Sequence, residues 1–215
     1  MESYRTVKQE TSAEFIEKRS KFIGYIKPVQ TEEEAIAFIQ SIKSKHWDAT
    51  HNVYAYSLRE GQTRRYSDDG EPQGTAGKPV LDVLMGGDIK NTAVVVTRYF
   101  GGTLLGTGGL VRAYGRSAKL GIEEAGIAKV RHYKECSVTT DYTTAGKIQY
   151  EITTGEYILK DTVYTDKVEF IVYLDRDNEA EFKEMVSNIS MGKSDTEDIR
   201  EIYGAWVKGK LEEIR

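Results

Sequence analysis

Hydrophobic and polar positions alternate over Tyr4–Gln9, Ala13–Lys18 and Lys21–Val29, where Phe22, Gly24 and Ile26 oppose Ile23 and Tyr25. A period of two is the period of a strand, so three strands are expected. The pattern then changes. Thr31 with Glu34 predicts a capping box, and Ala35, Ile36, Phe38, Ile39 and Ile42 supply a helical stripe that ends in the polar Lys43–Asp48. Asn52–Arg59 alternates again as a strand, whereas Arg64–Gly77 is polar and turn-rich, with Asp69-Gly70 as its turn signal. Lys78-Pro79 opens a helix carrying Val80, Leu81, Val83 and Leu84, and Gly86-Gly87 closes it. Ala93-Val-Val-Val-Thr97 has no polar alternation, which predicts a strand covered on both faces. A glycine-rich loop, Gly101–Gly109, leads into an amphipathic helix over about Leu110–Glu124.

Beyond Arg131 the periods read strand (Lys134–Thr140), helix (Thr143–Thr153), strand (Tyr157–Thr165), strand (Lys167–Asp175), helix (Asn178–Asn188) and strand (Asp195–Trp206). Asp166 marks a hairpin turn between the middle strands. The order βαββαβ is the ferredoxin-like pattern. The expected fold class is therefore α+β, with one domain over residues 1–131 and a ferredoxin-like domain over 134–207. The charged tail from Lys208 is expected to fray.

Composition adds limits. With 39% hydrophobic and 30% charged residues over 215 positions, the chain is globular rather than disordered. No apolar run approaches the roughly 20 residues that cross a bilayer, so no membrane partner is expected. Met1-Glu-Ser-Tyr-Arg lacks the apolar core of a secretory signal. The single cysteine, Cys136, allows no internal disulfide and is expected to be a buried, inert thiol. These features point to the cytoplasm. The net charge of −4 is uneven: residues 1–133 hold 19 Lys/Arg against 16 Asp/Glu, and the remainder 11 against 18. An anionic partner would meet the first part, and an ordinary pair of solvated surfaces is the plainer reading.

The densest chemistry lies in Arg98-Tyr-Phe-Gly-Gly-Thr-Leu-Leu-Gly-Thr-Gly-Gly-Leu-Val-Arg. Gly101, Gly102, Gly106, Gly108 and Gly109 lie between a buried strand and a helix N-terminus, where free N–H groups and the helix dipole attract anions. Arg98 could lean over that corner. The alternative is tight strand–helix packing for which the glycines make room. No P-loop ending follows, and Gly106-Thr-Gly108-Gly109-Leu-Val111 lacks the last glycine of the dinucleotide fingerprint. Arg112, Arg116 and Lys119 share one helix face that could grip phosphates or simply be solvated.

A second segment, Arg64–Lys78, clusters Asp68, Asp69 and Glu71 between Arg64, Arg65 and Lys78. Such carboxylates could serve as acid and base or hold a hard cation, though a loop with internal turn bonds explains them as well. His46 and His51 near Asp48 offer only weak zinc spacing, so no metal or cofactor is expected. No Gly-x-Ser-x-Gly elbow is present. Tyr54, Tyr56, Tyr66, Tyr99 and Tyr114 lie near basic residues and could stack on unpaired bases, or serve as ordinary strand residues.

Together, Arg19-Ser-Lys-Phe22, Thr50-His-Asn52, Asp68-Asp-Gly-Glu-Pro-Gln-Gly-Thr-Ala-Gly77, Arg98-Tyr-Phe-Gly-Gly102 and Leu105-Gly-Thr-Gly-Gly-Leu-Val-Arg-Ala-Tyr114 resemble the IMPACT family, which includes bacterial YigZ-type proteins. The likeness covers about residues 5–125. It implies a first domain like that shared by a ribosomal small-subunit protein and domain four of elongation factor G, and a second domain like domain five of that factor. Eukaryotic members modulate translation through the general-control kinase pathway by binding a partner protein. Many members carry Lys before the Leu-Gly-Thr-Gly-Gly stretch, where this chain has Leu104.

The resulting expectation is a non-enzymatic, translation-associated regulator that binds RNA or the ribosome, with no DNA specificity evident. The expected anion- or RNA-binding residues are Arg19, Lys21, Arg64, Lys78, Arg98, Gly101, Gly102, Gly108, Gly109, Arg112 and Arg116. Asp68, Asp69 and Glu71 are possible pocket carboxylates. The alternatives are an enzyme acting on a phosphorylated small molecule between the Asp68–Gly77 and Gly101–Gly109 loops, or a module whose protein partner docks on the acidic second domain.

Overall fold

The computed structural model describes residues 3–155, 157–207 and 210–214. They divide into two compact units, one from Tyr4–Lys129 and the other formed mainly by Val130–Arg215. Both are mixed α/β with antiparallel sheets. The expectations placed on Met1, Glu2 and Lys208 lie outside the described residues.

The first unit opens with β1 (Tyr4–Val7) and the hairpin β2 (Thr11–Glu17) and β3 (Ser20–Pro28). Then come α1 (Glu32–Lys45), β4 (His51–Ser57), β5 (Arg64–Ser67), α2 (Gly77–Gly86), β6 (Thr92–Tyr99) and α3 (Thr107–Ala125). The sheet order is β2-β3-β6-β4-β5. β6 is central, and its apolar run divides between two cores. Val94 and Val96 join Phe22, Leu84 and Tyr114 on the face covered by α2 and α3, while Ala93 and Val95 join Phe38 and Ile39 under α1. This is the double covering that its unbroken hydrophobicity requires.

At the start of α1, Thr31 Oγ1 accepts from the Glu34 N–H at 3.3 Å, and the Glu34 carboxylate reaches the Gln30 N–H at 2.8 Å. The cap is thus built as expected, with its return bond displaced by one residue. Two boundaries differ from expectation. β5 lies in the stretch read as turns: an edge strand exposed along most of its length carries no apolar period to detect. α3 begins at Thr107, with Gly106 capping at φ +74°, so Gly108 and Gly109 belong to its first turn rather than to the loop.

The second unit takes β7 (Ile127–Thr140) from Val130 onward, a strand that begins seven residues before the expected Lys134, then α4 (Tyr142–Thr154), β8 (Ile158–Tyr164), β9 (Val168–Asp175), α5 (Glu179–Ser190) and β10 (Asp195–Val207), the expected βαββαβ succession. A further strand, β11 (Lys210–Ile214), extends the sheet to the order β11-β10-β7-β9-β8. The tail expected to fray pairs instead with β10, from Tyr203↔Ile214 to Val207↔Lys210. Leu211 packs against Tyr133, Tyr173 and Ile202, a long-range contact that a charged local sequence does not announce.

Candidate functional site

Strand register gathers the informative segments at one end of the first sheet. Lys21 pairs with Tyr99 and His51 with Arg98, so the start of β3, the end of β6 and the start of β4 lie side by side. The β2–β3 turn is made by Lys18 and Arg19, both left-handed at φ 46° and 67°. The glycine loop packs directly on it. A Cβ placed on Gly101 would lie 2.0 Å from the Arg19 carbonyl carbon, so only glycine fits. Ser20 Oγ accepts from the Gly101 N–H at 3.2 Å, and Thr50 Oγ1 from the Phe100 N–H at 3.0 Å.

Arg98 does not lean over this corner as expected. Its side chain is only 6% exposed and pairs with Glu71, itself 4% exposed. The Tyr114 hydroxyl donates to the same Glu71 oxygen at 2.7 Å. Burial, reinforced by the neighbouring carboxylate, pushes the Tyr114 phenol far above its ordinary pKa, so it stays a neutral donor. A guanidinium drawn into a core with its counter-ion is a structural group, because an uncompensated buried charge is costly.

The three carboxylates read as possible pocket groups are occupied in the same way. Asp68 accepts from the N–H groups of Gly74, Ala76 and Gly77 at 2.8, 3.1 and 2.8 Å, so it caps α2 from across the loop. Asp69 pairs with Lys43 at 2.6 Å and accepts from the Asn52 N–H at 2.7 Å. Glu71 holds Arg98 and Tyr114. His51 completes the lock: its Nδ1 lies 2.7 Å from the Asp69 carbonyl and its Nε2 3.9 Å from Glu71. The Asp68–Gly77 loop is therefore fastened to β4, β6 and α3, not opened as a cavity.

A groove of about 270 Å³ forms elsewhere on the same unit. Phe15, Glu17 and Lys18 from the β2–β3 hairpin make one wall; Leu105, Gly109, Arg112, Ala113 and Arg116 make the other. Arg116 lies over the Phe15 ring at 4.6 Å and 3.9 Å from Glu17. Lys18 and Arg112 are exposed, and among the described residues neither has an ion-pair partner; the same holds for Arg19 on the turn.

The other expected cations are dispersed or engaged. Lys21 pairs with Glu14 at 2.7 Å, and Lys78 pairs with Asp82 one helical turn along α2. Arg64 pairs in register with Ser57, at the opposite end of β4 from His51, so it lies away from the groove. Gly102 is exposed beside Gly101, and Leu104 is 81% exposed. Sequence reading missed Lys18 and Phe15, whose closeness to Arg112 depends on the hairpin folding onto α3. His51, weighed there only as a weak zinc ligand with His46, instead fastens the Asp68–Gly77 loop.

Elsewhere, the His46 ring is held by Tyr25 at 2.6 Å and by Tyr99 at 2.8 Å. Among the described residues no group of three His, Cys, Asp or Glu side chains could hold a metal ion. Cys136 is buried with its thiol 3.2 Å from Asp198, and burial first, with that carboxylate second, pushes its pKa up to about 12. No helix among the described residues is long and apolar enough to cross a membrane.

Fold and site together define a two-domain mixed α/β protein whose glycine-rich strand–helix corner borders a cation-lined groove. The Impact N-terminal domain matches residues 18–122, and a domain of unknown function matches residues 138–193. Over 199 residues, 92% of each chain, the protein is 42% identical to the IMPACT family member YvyE of Bacillus subtilis. It is 39% identical over 128 residues to the IMPACT family member YigZ of Escherichia coli, covering 58% of this chain and 63% of that one. The crystal structure of a hypothetical protein superposes with a TM-score of 0.59 at 32% identity, covering 93% of this chain and 98% of the other. The chain belongs to the IMPACT family.

Proposed function

We propose that this protein is a non-enzymatic, translation-associated regulator of the cytoplasm that binds RNA, free or within the ribosome, through the groove of its first unit. The observation that carries this reading is electrostatic. Lys18 and Arg112 face each other across the groove without counter-ions among the described residues, while Arg98, Lys21 and Lys78 are neutralised at home. Cations left exposed and uncompensated are the ones that gain by releasing counter-ions from a phosphate backbone. The first-turn amides of α3, which no side chain among the described residues caps, add a partial positive charge at the same wall. Resemblance to a family whose eukaryotic members modulate translation supports the setting, the translation apparatus, while RNA as the ligand rests on the charges. Chemistry on a phosphorylated metabolite has less support, because both oxygens of Asp68 and of Asp69, and Oε1 of Glu71, are engaged in internal bonds.

Binding of a structured RNA, followed by filter retention across a salt series, tests the reading. Affinity should fall linearly on a log–log plot, and Lys18→Ala with Arg112→Ala should weaken binding and flatten the slope by about 0.7–0.9 per lost contact. Absence of binding at low salt, with the protein folded, would refute it.

A further inference from the structure

We infer that the sheet end beside the groove stacks unpaired bases, so that the RNA bound is single-stranded; this rests on the reading that the groove holds phosphates. Three large apolar side chains stand open there: Trp47 is 83% exposed, Leu104 81% and Phe100 45%. Trp47 follows the C-cap of α1, while Phe100 and Leu104 belong to the glycine loop. The chain is held at Trp47 and Phe100. His46, next to Trp47, is gripped on both ring nitrogens by Tyr25 and Tyr99. The Phe100 N–H bonds to Thr50, whose own N–H bonds to the Arg98 carbonyl at 2.9 Å. The Phe100 ring lies 5.5 Å from the Arg98 guanidinium, which remains paired below it.

An exposed aromatic on a fixed backbone loses little entropy when a base stacks on it, and every base offers a π-face. Duplex RNA hides those faces and shows a protein mainly phosphate and 2′-hydroxyl, so an aromatic platform gains nothing from it. Charge fits the same occupant. Lys18, Arg19 and Arg112 are cations without ion-pair partners among the described residues at this end, against Glu17, which already faces Arg116, and Asp48, which accepts from the Tyr99 hydroxyl at 3.1 Å. A protein partner would use the apolar groups but leave these cations facing no phosphate.

The test uses the full chain and two probes, an oligouridylate of about 12 nucleotides and an RNA duplex of equal length, a size within the span single-strand modules cover. A Trp206→Phe background leaves Trp47 as the only tryptophan. The single strand should bind more tightly than the duplex and quench Trp47 emission. Trp47→Ala should weaken it about 5- to 150-fold, the equivalent of one lost stacked base, with the salt slope unchanged. Phe100→Ala provides the second variant, and the unfolding midpoint of each confirms that it folds. Equal affinity for both probes, with Trp47→Ala indifferent, would overturn stacking while leaving the phosphate groove standing. No salt-dependent binding to either probe would overturn both.

Discussion

Arg98 and Glu71 form an ion pair with only 6% and 4% of their side chains exposed, and Tyr114 donates to the same carboxylate oxygen from α3. The three groups tie β6, the Asp68–Gly77 loop and α3 together. Removing one partner strands the other's charge in the core, so Glu71→Ala should cost about 3–5 kcal/mol. Replacing both charges, as in Glu71→Met with Arg98→Met, should recover most of that loss. Urea unfolding of the two variants checks the relationship. A loss below about 1 kcal/mol in Glu71→Ala would mean that the pair behaves like a surface salt bridge.

Two glycines should respond to alanine with opposite signs. A Cβ on Gly101 would lie 2.0 Å from the Arg19 carbonyl carbon and 2.5 Å from the Ser20 nitrogen, both rigid backbone. Gly101→Ala must therefore push the β2–β3 turn away from the glycine loop, at a cost of about 1–3 kcal/mol or more. It should also disturb the groove wall that Lys18 supplies. Gly146 lies exposed within α4, where an added Cβ meets nothing within 4 Å. Gly146→Ala should stabilise by about 0.5–1 kcal/mol through helix propensity. Thermal melting of both variants decides the matter.

What was legible in the chain followed the range of the forces involved. Thr31, Glu34 and the stripe of Ala35, Phe38, Ile39 and Ile42 specify α1 locally, and the structure builds that helix. The βαββαβ succession was readable because its helices and inner strands bury one periodic face, as Ile148 and Ile152 do on α4 and Val168, Phe170 and Val172 on β9. β5 and β11 were not readable, because edge strands exposed to water need no apolar period. The site divides in the same way. The Gly101–Gly109 loop and Arg112 stand out as residues, but nothing near Arg98 announces that a carboxylate 27 positions away will neutralise it. Nor does Lys18 carry any local mark of facing Arg112; that closeness arises only when the hairpin closes on α3.

His46 should make the first unit acid-sensitive. Tyr99 donates to Asp48, so it accepts from His46 Nδ1–H, and in the neutral ring that burial favours, Nε2 accepts from Tyr25. This arrangement requires a neutral ring. Burial, and then the Lys45 charge, hold its pKa below the ordinary 6.5, with Asp48 opposing. An unfolded imidazole thus takes up a proton before the folded one does, so stability is complete above about pH 6.5 and declines as pH falls below it. Urea midpoints at decreasing pH should show this decline, and His46→Gln should shrink it. A profile unchanged by the substitution would assign the acid sensitivity to other groups.

Asp198 should govern a lower window in the second unit. Its hydrogen bond to Lys183 is the main cause that holds its pKa down to about 2, with Cys136 and Lys134 assisting and partial burial opposing. The carboxylate therefore contributes stability above its ordinary value near 3.8, and that contribution disappears as pH falls toward 2. Its side chain is 43% exposed, so solvent screening keeps the contribution modest. Asp198→Asn should flatten the stability profile between those two pH values. The same variant removes the charge that, after burial, does most to disfavour the Cys136 thiolate. Native Cys136 should then alkylate slowly at pH 8 in both proteins, since burial remains the larger cause, and rapidly once either is unfolded in urea. Fast labelling of the native protein would show that the thiol is open to solvent and that the β7–β10 pairing over it is looser than its register implies.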